Sequence, residues 1–359
     1  MLSVDRSYQL RKSNMDRKIT LEEIMKLRQS FYKTLLIFMT RKCPLRCRHC
    51  SVEAGPEYHE SISLNIFESL MEGVKETGIV EMIAISGGEP FTQLDLLAEI
   101  LSSVANRGLK AVVITSAFWA SSFKDARRMI DHLPSFTALE ISADEFHEEF
   151  FHIERVKYAV AAALERDLKV IIGLTNYRTD SFKNRLYEML GSDLLEEVEF
   201  LENKVQPVGR AKRNFLVPIE YTQELPEGAC RGICSPVVRY DGNVMACCQD
   251  EFIHTNDHCL WLGNLYKNSF TEIYQKANNS FFIQALRTIG PKGIIDIGIK
   301  ERWQWRPRMY RKAHICDLCR DIIFSPYLIS MFEEHAKDAT FRHEIVIGRF
   351  LKYGEVMQV

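Results

Sequence analysis

Ten cysteines stand in this chain of 359 residues, and their placement says more than their number. Three crowd together at Cys43, Cys47 and Cys50. Five more fall between Cys230 and Cys259, and Cys316 and Cys319 form a C-x-x-C pair near the end. Disulfide frameworks belong to small secreted domains. Here Met1-Leu2-Ser3-Val4-Asp5-Arg6 opens into charged sequence with no apolar signal core, so the clusters are expected to bind metal in a reducing, cytoplasmic setting. C-x3-C-x2-C on one tight loop brings three thiolates round a single centre and leaves a metal position open. A structural zinc site is closed by four ligands. An iron–sulfur cube held at three corners presents its fourth iron to a ligand. Zinc closed by His49 is the alternative, although adjacent His49 and Cys50 would bend awkwardly round one ion.

Such a loop needs a rigid support. Between residues 34 and 206, β-branched runs alternate with helical patterns. The runs are Leu35–Met39, Met82–Ile85, Ala111–Ile114, Ala138–Ile141, Val170–Ile172 and Val198–Leu201. Helical stretches are predicted near 64–77, 94–107, 122–133, 152–166 and 181–190. Apolar strands between amphipathic helices make a parallel sheet covered by helices, either an incomplete barrel or an open doubly wound sheet. In both, ligands gather at the carboxyl ends of the strands. The alternation stops after Arg213, with a boundary near 215–225. Residues 269–288 are predicted as one more helix, 333–345 as a short terminal one, and 1–30 as charged and helical in part.

Composition excludes other classes. With 46% hydrophobic and 26% charged residues, the chain is globular. Its 46 basic and 48 acidic residues speak against a nucleic-acid grip. No apolar run approaches the roughly 20 residues that cross a bilayer.

The second strand runs into Gly87-Gly88-Glu89-Pro90. Two glycines let backbone approach a ligand closely, and Glu89 offers a carboxylate to a positive amino group; a plain turn is the alternative. The cysteine loop followed by this tetrapeptide resembles the radical S-adenosylmethionine (SAM) superfamily. The resemblance covers roughly residues 34–213 and implies a partial (β/α)6 barrel. It further implies a [4Fe–4S] cluster on Cys43, Cys47 and Cys50 whose open iron chelates SAM. Gly87, Gly88, Glu89 and Pro90 would hold the SAM amino group, and backbone near His49 would lie by the adenine. The implied chemistry is reductive cleavage of SAM to a 5′-deoxyadenosyl radical, which takes a hydrogen atom from substrate. Ser142 and Asp144 end the fourth strand, where the family places groups against the SAM carboxylate or ribose; capping the helix entered at Glu145 is the other role open to them. Thr115 and Ser116 are candidates for the same wall. His147 and His152 are expected to be satisfied surface histidines. Val205-Gln206-Pro207-Val208-Gly209 is placed over the adenine by spacing.

Cys230, eleven residues, Gly242, four residues and Cys247, closed later by Cys316 and Cys319, resemble the SPASM extension of these enzymes or its shortened relative, the twitch domain. No further cysteine follows, so one auxiliary [4Fe–4S] cluster is expected on Cys230, Cys247, Cys316 and Cys319. A zinc ribbon on the same thiols is the alternative, and Cys234 or Cys248 could replace a neighbour. The domains implied are an N-terminal extension (1–33), the barrel (34–215), the auxiliary-cluster domain (216–332) and a tail or helix (333–359). A spare thiol usually packs as a small hydrophobe, as Cys259 can. Cys248 or Cys234 could instead give a hydrogen atom to a substrate radical, which would make the enzyme an epimerase.

Residues 300–312 interleave six basic side chains with Trp303, Trp305 and Tyr310. Such a stretch can grip RNA or line a peptide groove; a connector packed over the auxiliary cluster is favoured. The function the resemblance implies is maturation of a ribosomally made peptide by cross-linking, epimerisation or oxidation. Only residues 1–33 stand ahead of the barrel, fewer than a leader-binding domain needs. The alternatives are a dehydrogenase or epimerase of a sugar or aminoglycoside, and a non-catalytic electron-transfer protein. A flavodoxin or ferredoxin is the expected electron donor.

Overall fold

The computed structural model describes residues 18–176, 180–214, 219–248, 250–312 and 314–355. Residues 1–17 of the N-terminal extension and 215–218 of the expected boundary lie outside them. Six strands lie side by side in chain order, each parallel to the next: β1 (Thr34–Thr40), β2 (Met82–Gly87), β3 (Lys110–Thr115), β4 (Ala138–Ala143), β5 (Lys169–Asn176) and β6 (Val198–Lys204). Between them run α2 (Leu64–Thr77), α3 (Leu94–Asn106), α4 (Phe123–His132), α5 (Glu145–Glu148), α6 (Glu154–Glu165) and α7 (Ser181–Leu195). Local sequence sets the ends: Ser63 caps α2 through Ile66 N and Gly78 closes it in the left-handed region, while Ser122 caps α4.

Alternation along the strands decides what faces where. Ile83, Ile85, Val113, Leu139, Ile141, Val170 and Ile172 pack under the helices in the main core. Met82, Val112, Ala138 and Ile171 point the other way and form a second core with Ile19 and Ile24. Ile24 belongs to α1 (Leu21–Gln29), which plugs the inner face of the barrel toward the amino ends of the strands and leaves the carboxyl ends open. Thr20 and Glu23 make a capping box for it. Arg28 of this helix reaches Glu140 in the middle of β4 at 2.7 Å.

The sheet continues past the barrel. After α8 (Gly209–Arg213) and β7 (Tyr221–Thr222), β8 (Val237–Val238) pairs parallel to β1; β9 (Asn243–Met245) and β10 (Trp261–Asn264) follow antiparallel. A short α9 (Asp250–Ile253) lies between those last two. Gly242 is the turn glycine of the β8–β9 hairpin, at φ +78° with Gly242 N bonded to Arg239 O. A Cβ there would meet the Tyr266 ring at 2.9 Å. The glycine five residues ahead of Cys247 thus marks the hairpin that delivers that cysteine.

The helix expected over 269–288 is two, α10 (Phe270–Asn279) and α11 (Phe281–Thr288), because Ser280 is extended and caps the second. Next comes α12 (Gly290–Lys300), where Gly290, Gly293, Gly298 and Pro291 hide the helical pattern. Then follow β11 (Tyr310–Arg311), paired with β7, α13 (Ile315–Ile323), α14 (Pro326–His335) and α15 (Ala339–Tyr353). The terminal helix expected at 333–345 is therefore the end of one helix and the start of another. The aromatics of 300–312 are spent internally: Trp303 packs on Gly298, and buried Tyr310 donates to Asp321.

Candidate active site

The cysteine loop leaves β1 and is pinned at both ends. Cys43 N bonds to Gly55 O, and Cys50 O accepts from Arg210 N. All three thiols line one cleft of about 450 Å³ at the carboxyl ends of the strands, together with Gly87, Gly88, Glu89, Ser142, Thr115, Ser116 and His49. Strand alternation brings in Ser86, Ile114, Ser142 and Thr175 from the inner face.

The two glycines serve a different neighbour from the one the sequence suggests. Gly87 has φ +122°, and a Cβ on it would sit 2.4 Å from Thr40 O; one on Gly88 would sit 2.2 Å from Lys42 O. Gly88 N and Glu89 N bond to Thr40 O and Lys42 O. Their freedom lets β2 lie flush against the root of the cysteine loop. Glu89 is likewise committed within the protein. Its buried carboxylate accepts from Phe91 N, Thr115 Oγ1, Ser116 N and Ser116 Oγ at 2.7–3.2 Å. Burial still raises its pKa above the ordinary range against those donors. The side chain expected to take up an amino group instead ties β2 to the end of β3, and Pro90 begins the short 3-10 turn that follows.

Asp144 and His49 meet each other. The Asp144 carboxylate, 1% exposed, caps α5 through Phe146 N and His147 N and bonds His147 Nδ1 at 2.9 Å. His49 Nε2 lies 3.3 Å from its other oxygen, and the His49 ring stacks on Phe146 at 4.4 Å. Burial pushes the Asp144 pKa up, but the two histidines outweigh it and hold the carboxyl well below its usual range. His147, expected at the surface, is enclosed here against Cys47, whereas His152 is exposed. Ser142 lines the cleft without this entanglement.

The segment after β6 closes the opposite side. Val205, Gln206 and Val208 line the cleft. Gly209, at φ +51°, packs against Cys50 O and Ser51 O, and Arg210 N bonds to Cys50 O. Lys204 and Arg210 add two cations to the wall that no motif announces. They are suited to a carboxylate.

Of the late cysteines, Cys230, Cys247, Cys316 and Cys319 line a single small cavity with Ile233, Phe252, Leu260 and Leu286. Burial, then Cys230 and Cys248, push the Cys316 thiol up to about 12; burial first, and Cys248 and Cys234 after it, push Cys230 up to about 11. Burial, with the Glu89 charge next, likewise raises Cys43. Thiols so placed become thiolates when a bound cation compensates them, so both sets fit an iron–sulfur group. Cys234 is not brought to either site: it is fully buried and hydrogen-bonds Arg287. Cys259 is exposed and lines neither site. Cys248 is exposed and lines the cleft of the first three cysteines.

The sequence model of the Radical SAM superfamily matches residues 37–186, and that of SPASM, an iron–sulfur cluster-binding domain, matches 230–320. The chain carries a radical SAM domain followed by a SPASM domain. It is a radical SAM enzyme whose cofactors are SAM with a [4Fe–4S] cluster and auxiliary iron–sulfur chemistry in the SPASM domain. YydG of Bacillus subtilis (strain 168), named for a role in peptide biosynthesis, is 23% identical over 324 residues, 86% of this chain and 99% of that protein. Among solved structures, Streptococcus suis SuiB bound to precursor peptide SuiA is 16% identical with a TM-score of 0.43, covering 75% of this chain and 70% of that one. BtrN in complex with AdoMet and 2-DOIA is 14% identical with a TM-score of 0.45, covering 73% and 90%. Among the described residues no helix is long and apolar enough to cross a membrane.

Proposed function

We propose that this enzyme matures a ribosomally made peptide in the cytoplasm by inverting one residue at its α-carbon. The observation that carries the reaction type is Cys248, which lines the cleft beside the three-cysteine loop and is not among the thiols lining the closed cavity, while its charge acts on Cys230 and Cys316 nearby. Likeness to a peptide biosynthesis protein along 86% of the chain supports the substrate class. In this reading Cys43, Cys47 and Cys50 hold the SAM-binding cluster, and Cys230, Cys247, Cys316 and Cys319 the auxiliary one. The Gly87–Pro90 backbone and Ser142 border the place of SAM.

SAM with its cluster supplies a 5′-deoxyadenosyl radical when bound. That radical would take the hydrogen atom of the substrate Cα–H bond into a new C–H bond of 5′-deoxyadenosine, leaving a carbon radical for the chain's own residues to quench. The Cys248 S–H bond then breaks, and its hydrogen atom forms a new Cα–H bond on the opposite face. One electron and one proton restore the thiol. That electron, like the one that cleaves SAM, comes from an external donor of the flavodoxin or ferredoxin class.

The test is anaerobic turnover in D2O with short candidate precursor peptides. One deuterium and one D-residue per product are expected. Cys248→Ala should still form 5′-deoxyadenosine and yield no D-residue. Full product from Cys248→Ala would remove epimerisation through this thiol in favour of cross-linking or oxidation. Turnover with an aminoglycoside and none with peptide would favour the small-molecule alternative.

A further inference from the structure

The two cysteine sites are joined by one buried side chain. Arg311 and Asp317 are 6% and 4% exposed. Asp317 stands inside the Cys316–Cys319 pair on α13. Arg311 Nε lies 2.9 Å from both Asp317 oxygens, Nη2 adds a further bond to Oδ1, and Arg311 N donates to Oδ2 at 3.0 Å. The guanidinium has one more direction to spend. Its Nη1 donates to Pro207 O at 2.5 Å, across 104 residues of sequence.

Pro207 lies in the middle of the cleft wall. Val205, Gln206 and Val208 around it line the cavity, and the next two residues lean on the cysteine loop through Gly209 and the Arg210 N to Cys50 O bond. An unbroken line therefore runs from Cys316 and Cys319 through Asp317, Arg311 and Pro207 to Cys50. Planar guanidinium suits this post: it grips a carboxylate with one edge and keeps a donor for a carbonyl on another. A lysine could serve one of those acceptors and not both.

We infer that Arg311 is a positioning residue through which the auxiliary cysteine site holds the 205–210 wall against SAM. The inference rests on the cofactor assignment above, and it makes SAM affinity depend on a residue that never touches SAM. Removing the strut should free the wall while leaving all seven cysteines in place.

Hydrogen exchange and SAM titration on the reconstituted full-length enzyme test it, with iron counted in each sample. Wild type should protect 205–210 more strongly when SAM is added. Arg311→Lys and Asp317→Asn should retain full iron, lose most of that protection and bind SAM roughly tenfold more weakly. KM for SAM should rise more than kcat falls. Arg308→Lys, which changes the neighbouring exposed pair with Asp321, should leave both readouts unchanged. Wild-type protection and affinity in Arg311→Lys and Asp317→Asn would overturn the strut and leave the proposed reaction standing. No effect of SAM on 205–210 in wild type would overturn it differently, by removing that wall from the SAM site.

Discussion

The two cysteine sites differ in the way an open and a closed metal site should. The first offers three thiols on a single loop, at the mouth of a cleft of about 450 Å³ that has cations and hydroxyls on its walls. The second draws four thiols from three places in the chain and closes them behind Ile233, Phe252, Leu260 and Leu286. An open corner needs access and polar neighbours that can seat a ligand. A closed centre needs neither, and its apolar walls keep solvent away. The architecture follows the same division. The barrel carries its site at the strand ends, where backbone is free to meet a ligand; the auxiliary site sits among packed helices and one hairpin.

Cysteine replacement gives the largest effects and separates the sites. Cys43→Ala/Cys47→Ala/Cys50→Ala should abolish 5′-deoxyadenosine and remove one cluster's iron while the chain stays folded. Cys230→Ser/Cys319→Ser should remove the other cluster and lower thermal stability as well, because those thiols lie among core side chains whose packing the metal completes. Iron counting, chromatographic assay of 5′-deoxyadenosine and thermal denaturation check these outcomes. Equal loss of stability in both variants would erase the distinction between a site that binds a ligand and one that holds the fold.

The glycines probe the open site from beneath. Gly88→Ala puts a Cβ 2.2 Å from Lys42 O, a backbone atom that cannot swing aside. We expect a loss of about 3 kcal/mol, within the range for overpacking and backbone strain, and impaired cluster assembly because the cysteine loop must lift. Gly232→Ala, on the auxiliary side, meets nothing within 4 Å and should be nearly neutral. Urea unfolding of the two variants makes the comparison. A neutral Gly88→Ala would return these glycines to the role first given them, room for a ligand.

How much of this was legible in the sequence depends on how local each signal is. Cys43, Cys47 and Cys50 lie within eight residues, and their spacing states their purpose. The strands of the barrel were legible as continuous apolar runs, buried on both faces, and the helices because one face of each is apolar at a regular period. Strands β8 to β10 were not, because two to four residues are too few to show a period; the pairing of β8 to β1, with β9 and β10 beyond it, comes from tertiary packing. The bond from Arg311 to Pro207 gave no sign, since nothing local announces a contact across a hundred residues. Glu89 was legible as a candidate, but its hold on Thr115 and Ser116 was not, because that burial is settled by the β3 end rather than by its own motif.

Asp144 and Ser142 carry that last contrast to its smallest scale. They are two residues apart at the end of β4, and the sequence leaves both open to SAM or to capping the helix that follows. Asp144 is already held by two backbone N–H groups and two histidines, whereas Ser142 faces the cleft. Asp144→Asn keeps one acceptor for the cap and loses the charge that gathers His49 and His147. It should therefore cost about 1–2 kcal/mol of stability and reduce 5′-deoxyadenosine formation by less than tenfold. Ser142→Ala should leave stability unchanged and weaken SAM binding by a few-fold, a loss of about 1 kcal/mol for one neutral hydrogen bond. Urea midpoints and SAM titrations on the two variants separate the roles. If Asp144→Asn abolished SAM binding while its midpoint stayed put, the carboxylate would be reaching the ligand, and the histidines would be incidental neighbours.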